Sequence, residues 1–506
     1  MRLWVRALAT GCGLLALQAC TNLGPDYEEP AVDWIDTWET DLYGQALSTS
    51  DEMDDLSFWW EAFSDPVLND LISTARKENP TLRLAGLSVL ESKALLGVAT
   101  GLQYPQVQRA SGSWARTDSW PTEGDNSGDH SDLNAYDAGF DIGWEMDFWG
   151  KYRRSIESAD AAFFASVTNQ QNAQVLLAAQ VAEAYYSWRT TARLIDIAQE
   201  NAALQKRSLE ITTALYESGQ SAELDVQQAR TQYLATLSSI PNFEIALQQL
   251  ENALAILLGR EPGNVPELDA VPATLPNLNP LFIEAYPAAL LMRRPDVRTA
   301  AWTVAAQSAQ IGVAKADLYP SISLFGTIGW SGNSLDVTND TLATAIGPSF
   351  TWNLFNYDRI ENSVRVQDAR LQQTIQAYQL TVLAAASEID NAAVSVLKTR
   401  DQQALLSSAL EAADRSLALS TKRYQEGYSD FQRVLTAQQS RAARSSAYVS
   451  NQGEHINSVI DFYRALGGGW QPAEAEDLVP EELRQIMQER TDWDGMLDDP
   501  VPLPEQ

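Results

Sequence analysis

Histidine and cysteine, the side chains most often used for catalysis and metal binding, are scarce in this sequence. The chain has 506 residues but only two histidines, His130 and His455, and two cysteines, Cys12 and Cys20. Zinc sites, cysteine–histidine pairs and Ser-His-Asp triads all draw on these residue types. The sequence therefore predicts a protein that is not an enzyme and holds no metal or cofactor, with structural or solvent-exposed roles for both histidines.

Cys20 is the residue whose surroundings indicate a covalent modification. Two arginines precede an apolar run at residues 7–17 that is too short to cross a bilayer, and Ala19 precedes the cysteine. This pattern is typical of a secretory signal. Its ending resembles the bacterial lipobox, which predicts a signal peptide at 1–19 and a lipid, with palmitate, on Cys20. The alternative is a plain signal peptide with Cys20 buried or in a disulfide. Thr21, rather than Asp, follows the cysteine and indicates the outer membrane.

The charge of the chain limits its partners. There are 35 basic and 67 acidic residues, which gives a formal net charge of −32. Nucleic-acid binding needs a basic surface, so the composition excludes nucleic acid as a main partner. The sequence is also 45% hydrophobic and contains 15 tryptophans, which is enough to bury a core. A folded acidic protein is therefore expected.

Carboxylates recur on one face of a predicted strand. Residues 136–149 place seven apolar side chains in strict alternation with polar residues or glycines, and this period of two excludes a helix. The acidic positions on the polar face are Asp137, Asp141, Glu145 and Asp147. If the apolar face contacts lipid, these carboxylates line an aqueous interior and favour cations. The alternative is the solvated face of an ordinary hairpin.

An internal repeat positions these strands. Gly97-Val98-Ala99 and Tyr104-Pro105 recur 215 residues later, at Gly312-Val313-Ala314 and Tyr319-Pro320. Beyond the hairpins the offset becomes 208, because Trp144 matches Trp352. Two copies of one unit, differing in one loop, are therefore present in the chain. Each copy is expected to contain a helix, two strands joined by a polar loop, a long helix, a tight turn and a return helix.

The strands are typical of a membrane barrel. Segments of about ten residues with alternating polarity match transmembrane β-strands, although strands of a soluble β-sandwich alternate in the same way. One hairpin per copy is too little sheet for an independent sandwich. Four strands cannot close a barrel either, so several chains must share one.

The helices are predicted to be too long for a globular domain. Residues 151–215 contain neither proline nor glycine, and a helix of that length extends about 100 Å. Residues 358–423 repeat this length. Apolar residues at spacings of four and three indicate coiled-coil packing, at Leu371, Ile375, Tyr378, Val382, Ala385, Ile389, Ala392 and Val396. An ordinary antiparallel coiled coil is the simpler alternative.

These features divide the chain into six segments. Residues 1–19 form the signal peptide, and the two repeats occupy 66–259 and 287–469, with strand hairpins at 105–149 and 320–355 and helical hairpins at 151–258 and 358–466. The opening helix of the first repeat is expected to span 66–104 without a break. The remaining segments, which are expected to form a belt around the middle, are 20–65, the proline-rich linker 260–286 and the acidic end 470–506.

Several motifs resemble one known family, the TolC-like outer membrane factors of the OprM/NodT lipoprotein type. The motifs are Cys20-Thr21-Asn22-Leu23-Gly24-Pro25-Asp26-Tyr27, Trp59-Trp60-Glu61-Ala62-Phe63-Ser64-Asp65-Pro66, Arg293-Arg294-Pro295-Asp296-Val297-Arg298 and Tyr463-Arg464-Ala465-Leu466-Gly467-Gly468-Gly469-Trp470. The resemblance implies a mainly α-helical trimer whose chains share a twelve-stranded outer-membrane β-barrel continuous with a periplasmic α-helical barrel. It also implies a periplasmic adaptor and an inner-membrane pump as partners.

The tight turns at Gly219 and Gly427 are expected to form the periplasmic tips, where an adaptor docks. The resemblance implies an acidic residue at a closed entrance, for which Asp430 is the candidate. Its alternative role is to cap the return helix. The candidate gate set is Asp430, Phe431, Arg433, Glu223 and Asp225, and the candidate tip contacts include Tyr216 and Tyr424.

Two functions from different classes fit these observations. The first is a passive export duct that spans the outer membrane and contacts its lipids. The second is a lipid-anchored periplasmic coiled-coil scaffold without a pore. They differ in what the apolar face of the strands contacts, since only a duct requires lipid there.

Overall fold

The computed structural model describes residues 22–32, 56–119, 131–269, 271–272, 274–276, 278, 288–334, 340–472, 478–498 and 500–502. The signal peptide, Cys20 and His130 lie outside these residues. The chain is mainly helical and contains one four-stranded sheet. The elements are α1 (Pro66–Glu78), α2 (Pro80–Gly101), β1 (Val107–Ser119), β2 (Ser131–Met146), α3 (Lys151–Glu217), α4 (Glu223–Leu257), α5 (Pro295–Ala316), β3 (Ser321–Gly332), β4 (Thr341–Thr351), α6 (Arg359–Gln425), α7 (Phe431–Ala465) and α8 (Glu481–Arg490). Short 3-10 helices lie at Leu56–Phe63, Pro266–Leu268 and Ala288–Arg293.

The helix boundaries confirm the duplication. Helices α2 and α5 begin and end at residues that are 215 positions apart, and the pairs α3 with α6 and α4 with α7 are both offset by 208. Helices α3 and α6 contain 67 residues each, as their lack of proline and glycine predicts. The return helix α4 continues through Pro241.

The opening helix differs from its prediction. It was expected to run unbroken over 66–104, but Asn79 adopts an extended conformation (φ −64°, ψ 122°) and separates α1 from α2. A residue that precedes proline disfavours the α region, and Pro80 follows here. The Asn79 side chain accepts a hydrogen bond from Leu82 N (2.9 Å) and donates one to Leu257 O (2.8 Å). The Asn79 side chain therefore caps the start of α2 and ties the break to the end of α4.

The four strands form an antiparallel sheet in the order β1-β2-β3-β4. Strand β2 of the first copy pairs with β3 of the second, for example Met146 with Ile322 and Phe140 with Ile328. In the first hairpin, β1 extends to Ser119 and β2 begins at Ser131. Cross-strand partners point to the same side of a sheet, so the register places most apolar residues of β2, β3 and β4 on one face, whereas β1 sets Gln108 opposite Ile142.

The predicted coiled-coil positions of α6 are buried from Tyr378 onward, including Val382, Ile389 and Val396. By length and composition alone, α6 is the one helix among the described residues that could cross a membrane. Its buried stripe has the 3.5-residue period of packed helices, and we interpret the helix as part of a bundle.

The chain forms two compact units, and each draws on both repeats. One unit comprises the described residues within 1–31, 89–166 and 299–379 and contains the sheet, while the other comprises those within 32–88, 167–298 and 380–506. The second unit has a core of Trp59, Trp60, Phe63, Leu71 and residues of α3, α4 and α7. The repeats are thus units of sequence, whereas the compact units combine equivalent parts of both copies.

A buried ion pair organises the core of the second unit. Asp65 caps the N-terminus of α1 and accepts hydrogen bonds from the hydroxyls of Tyr185 (3.1 Å) and Tyr186 (3.4 Å) and from the Arg189 guanidinium. The side chains of Asp65 and Arg189 are 12% and 8% exposed. Arg189 also donates to Thr274 O. This pair therefore ties the proline-rich linker to the helices.

Candidate functional site: the sheet, the helical tips and the N-terminal segment

The outer face of the sheet is apolar and uncovered in the single chain. Its large side chains keep between 37% and 83% of their surface exposed, at Trp144, Ile142, Leu324, Phe140, Ile328, Trp114, Leu342, Phe350 and Ile346. Soluble proteins rarely leave so large a continuous apolar patch in water. This face therefore requires a nonaqueous environment or a covering partner.

Aromatic residues border this apolar face at both ends. Near the helices, the indole nitrogens of Trp144 and Trp352 donate to Gln103 O (3.1 Å) and Leu318 O (3.0 Å). Near the loops, Trp330 donates to the Asp340 carboxylate (2.9 Å). Trp144 lies eight residues along β2 from Tyr136, or about 27 Å along the strand at 3.4 Å per residue, which is roughly 20 Å of height at the 35–45° tilt of barrel strands. Membrane barrels have an apolar band of about 25 Å between aromatic girdles.

The opposite face of the sheet is polar and partly paired. Asp141 forms a salt bridge with Arg109 (3.1 Å), and Asp137 accepts a hydrogen bond from Ser113 (3.3 Å). Glu145 accepts a hydrogen bond from the Tyr152 hydroxyl (3.2 Å). These three carboxylates share one face of β2, as the alternation predicts. One of them has an arginine partner, which reduces the negative charge of this face.

Asp147 does not belong to that face. Strand β2 ends at Met146, so the assignment of Asp147 to the barrel interior was wrong. Its carboxylate instead accepts hydrogen bonds from the backbone of Tyr152 (3.2 Å) and Arg153 (3.0 Å) at the start of α3. An acidic group is stabilised at a helix N-terminus by the free amide groups there.

The sheet has two unpaired edges among the described residues, at β1 and β4. Because order and direction alternate regularly, β4 of one chain can pair antiparallel with β1 of another. Unpaired backbone groups are not tolerated in hydrocarbon. In a membrane, both edges of this sheet would therefore need further strands to pair with.

Both helical hairpins end in tight turns centred on glycine. Gly219 and Gly427 have φ of 75° and 77°, a region that side chains other than glycine disfavour. In each turn the backbone amide of the residue after the glycine donates a hydrogen bond to the carbonyl five positions earlier. These bonds are Gln220 N to Leu215 O (2.8 Å) and Tyr428 N to Arg423 O (2.9 Å). This is the Schellman arrangement of helix ends.

Asp430 is exposed at the second turn. It occupies the N-cap position of α7, but its side chain makes no capping hydrogen bond, and it lies 3.9 Å from the Arg433 guanidinium. In the first hairpin Glu223 and Asp225 lie in the first turn of α4, and Asp225 accepts a hydrogen bond from Ser221 (2.9 Å). Asp430 and Glu223 are thus both exposed, and Asp430 has an arginine nearby, whereas Asp225 is partly buried and hydrogen-bonded.

Two candidate tip residues are buried, contrary to their predicted roles. Phe431 is 1% exposed, lies beside Tyr424 with ring centroids 5.4 Å apart, and packs with Ala229 and Val434. Tyr424 is 8% exposed, and burial raises its pKa. Both residues join the two hairpins and cannot line an entrance or contact an adaptor in this arrangement. Tyr216, the equivalent of Tyr424 in the first copy, is 45% exposed.

The segment that follows Cys20 is held against the base of the sheet. Leu23 N donates to Trp149 O (3.3 Å), and Arg154 donates to Leu23 O (3.0 Å) and to the Asp26 carboxylate (2.6 Å). A Cβ on Gly150 would lie 2.6 Å from the Asn22 side chain, so the backbones approach closely. The side chain of Arg154 is 3% exposed, and its role was not predicted. Its signal in the sequence is weak, since an arginine near a helix start is usually solvated.

Of the two histidines, His455 is described and buried. It lies 2.9 Å from the Thr399 hydroxyl, and burial lowers its pKa. Among the described residues no group of three histidines, cysteines or acids could hold a metal ion. His455 therefore contributes to helix packing.

Comparisons with known proteins agree with this architecture. The family model described as outer membrane efflux protein matches residues 71–260 and 286–468. The solvent efflux pump outer membrane protein SrpC of Pseudomonas putida is 27% identical over 471 residues, covering 90% of this chain and 97% of SrpC. The cation efflux system protein CusC of Escherichia coli O6:H1 is 29% identical, covering 91% and 98%. The solved outer-membrane channel OprN superposes with a TM-score of 0.78 at 30% identity, covering 89% of this chain and all of OprN. The chain belongs to the outer membrane efflux protein family.

Proposed function

We propose that this outer membrane protein is the exit duct of a tripartite efflux system. Three copies would join their sheets into one twelve-stranded barrel, and their long helices would continue the passage into the periplasm. The exposed apolar face of the sheet, bordered by tryptophans and ending in two open edges, is the observation that carries this proposal. A pore-free scaffold has no use for such a face.

The duct is proposed to be passive and gated at the tips. A periplasmic adaptor would dock at the turns around Gly219 and Gly427 and connect the duct to an inner-membrane pump. Three exposed Asp430 carboxylates, one from each copy, would form a ring that favours cations. Arg433 and the acids Glu223 and Asp225 would adjust the charge around this ring.

The barrel interior is proposed to carry the polar face of the sheet. Asp137 and Glu145 would add negative charge there, while Asp141 would be balanced by Arg109. A lipid on Cys20 would lie near the base of the sheet, because Asn22 and Leu23 contact Gly150 and Trp149. The duct and its anchor would thus meet the membrane at the same level.

Cargo selection is assigned to the pump rather than to the duct. The relatives named for solvent efflux and for cation efflux match this chain with nearly equal identity, 27% and 29%. The same outer component therefore serves chemically unlike solutes within the family. An acidic passage would influence the conductance of ions without deciding which compound is exported.

Conductance measurement in planar bilayers tests the proposal. Purified parent protein should give small, steady currents because the tips are closed, and Asp430→Ala should raise the conductance and reduce the preference for cations. Asp390→Ala, an exposed acid in the middle of α6, serves as the matched control and should leave both unchanged. The absence of current from both the parent and Asp430→Ala would favour the scaffold and contradict the duct.

A further inference from the structure

One pocket of the second compact unit is separate from the sheet, the tips and the segment after Cys20. It has a volume of about 540 Å³ and lies beside the break between α1 and α2, where it is also lined by residues 471, 472, 478 and 480. Pockets of about 300–1,000 Å³ are typical of sites for small organic ligands. We call it the arginine pocket, because Arg76 and Arg83 both lie in its wall.

Cations outnumber acids in the wall of the arginine pocket. Arg76, Lys77 and Arg83 line it, and Glu61 is the one acid among its described lining residues. The whole chain has the opposite balance, with 67 acidic and 35 basic residues. A local excess of positive charge in so acidic a protein indicates a site for an anionic group.

Arg76 is a partly buried arginine without a carboxylate partner among the described residues. Its guanidinium donates to Gly469 O (2.7 Å) and Gln471 Oε1 (3.4 Å), and its Nε is buried without an acceptor. Burial lowers its pKa, and no carboxylate among the described residues raises it. The buried arginines Arg154 and Arg189, in contrast, each form a salt bridge. The charge of Arg76 is therefore neither fully hydrated nor neutralised.

The break at Asn79 places Arg83 in the same pocket. Because α1 ends at Glu78, the carbonyl of Lys77 is among the last four of that helix and lacks a helical partner. Arg83 donates a hydrogen bond to this carbonyl (3.0 Å), and its Nε is buried without an acceptor. The break therefore holds a second guanidinium, also without a carboxylate among the described residues, beside the end of α1.

Aromatic and amide side chains complete the arginine pocket. The Trp60 ring is 4% exposed, and its centroid lies 4.8 Å from the Arg76 guanidinium. Asn69, Gln170 and Gln471 contribute amide groups to the wall. Amides both donate and accept hydrogen bonds, as peptide bonds do, and an aromatic ring offers apolar surface. This wall suits an acidic peptide better than a bare inorganic anion.

The second repeat shows that the fold does not require these cations. The 215-residue offset of α2 and α5, continued toward the N-terminus, pairs Arg76 with Leu291 and Lys77 with Met292. Leu291 is fully buried. An arginine that loses hydration at such a position, without a carboxylate to offset the loss, is destabilising. Packing alone therefore does not account for the arginine at 76.

We propose that the arginine pocket binds a short peptide with two or more acidic side chains. One carboxylate contacts Arg76, a second contacts Arg83, and a neighbouring part of the peptide lies on the Trp60 ring. Guanidinium groups bind carboxylates through paired, charge-assisted hydrogen bonds. The bound peptide joins the α1–α2 break to the chain after Gly469. This inference goes beyond the proposed duct and does not depend on conduction.

Calorimetric titration with tetraglutamate, a peptide of four glutamates, tests the site. The purified full-length protein in detergent should bind tetraglutamate, and tetraglutamine should bind at least about tenfold more weakly. Added salt should weaken the binding of tetraglutamate, because salt screens the charge pairs. No binding of tetraglutamate to the parent protein at about 1 mM would overturn the site.

Variants of the three cations locate the binding. Arg76→Gln and Arg83→Gln should each weaken tetraglutamate binding about tenfold, because each removes charge-assisted hydrogen bonds. Lys77→Gln is a second measure that leaves the fold intact, since Lys77 is exposed, and it should weaken binding severalfold. Arg230→Gln, at an exposed arginine of α4 outside the pocket, is the matched control and should leave the affinity unchanged. Parent affinity in all three pocket variants would overturn the assignment.

Two further measurements identify the source of the carboxylates. Inorganic phosphate that binds as tightly as tetraglutamate would overturn the assignment to a peptide. The chain has acids of its own nearby in sequence, because Glu474, Glu476 and Asp477 lie between two residues that line the pocket. Changing them together to Gln, Gln and Asn should leave the tetraglutamate affinity within about twofold, whereas a gain of about tenfold would show that these acids occupy the pocket and would overturn its assignment to a separate peptide.

Discussion

Ile328→Arg should destabilise the membrane sheet, while Thr327→Arg on the adjacent residue should not. Ile328 lies on the apolar face and is 47% exposed in the single chain. Its cross-strand partner, Phe140, is midway along β2 between Trp144 and Tyr136. An arginine at the midplane of a membrane barrel costs about 2–4 kcal/mol. Per chain this lowers the folding equilibrium constant roughly 30- to 700-fold, at tenfold for each 1.4 kcal/mol.

Thr327 is the matched control because its side chain points to the opposite face of the same strand. It pairs across the sheet with Asp141, so a new arginine gains a carboxylate neighbour. Exposed pairs of this kind contribute about 0–1 kcal/mol. We therefore expect Thr327→Arg to change the free energy of unfolding by less than about 1 kcal/mol in either direction.

The assay is urea unfolding of protein refolded into lipid vesicles, followed by the fluorescence of the 15 tryptophans. Ile328→Arg should shift the unfolding midpoint to a lower urea concentration. The slope of the unfolding free energy against urea concentration should not change, since unfolding exposes the same surface in both variants. Equal losses for the two variants, or a larger loss for Thr327→Arg, would refute the assignment of the apolar face to lipid and of the polar face to the interior.

Three further predictions concern the helical part. Asp65→Ala should lower the free energy of unfolding by about 3–5 kcal/mol in denaturant titrations, because it leaves the buried Arg189 guanidinium without its partner, whereas exposed Asp70→Ala should have little effect. Burial and the neighbouring Asp461 carboxylate raise the pKa of Glu183 to about 7, so ionising it opposes folding, and parent stability should fall as the pH rises from 5 to 8. Glu183→Gln should make stability depend less on pH and should be more stable than the parent at pH 8. A steeper loss of stability with pH in the variant would contradict the raised pKa of Glu183. Gly427→Ala should destabilise the tip by about 1 kcal/mol because its φ is 77°, measured as faster local hydrogen exchange in the turn.

The repeat made much of the fold predictable from the sequence. Comparing the two copies located the strands and helices, and the helix ends agree with the offsets. The alternation over 136–149 predicted the two faces of β2 because strand geometry is local. The break at Asn79 was missed, although Pro80 follows it, because proline is tolerated in the first turn of a helix and is ambiguous there.

The site was less predictable because its residues depend on contacts between distant segments. Phe431 and Tyr424 lie beside a turn and are expected to be exposed, yet helices α3 and α4 cover them. Asp147 continues the alternating pattern, but its carboxylate caps α3. Arg154 binds a segment 128 residues earlier in the chain, which no local pattern reveals.

The pairing of β2 with β3 has a consequence for the order of folding. The β1–β2 hairpin closes a short loop between Ser119 and Ser131, whereas joining Met146 to Ile322 closes a loop of about 175 residues. The longer closure costs about 2 kcal/mol more in chain entropy, at roughly 0.6 kcal/mol per doubling. The β1–β2 and β3–β4 hairpins are therefore expected to form early, before β2 pairs with β3. Packing of α3 against α5 would bring them together, so that helix assembly in the periplasm precedes completion of the sheet in the membrane.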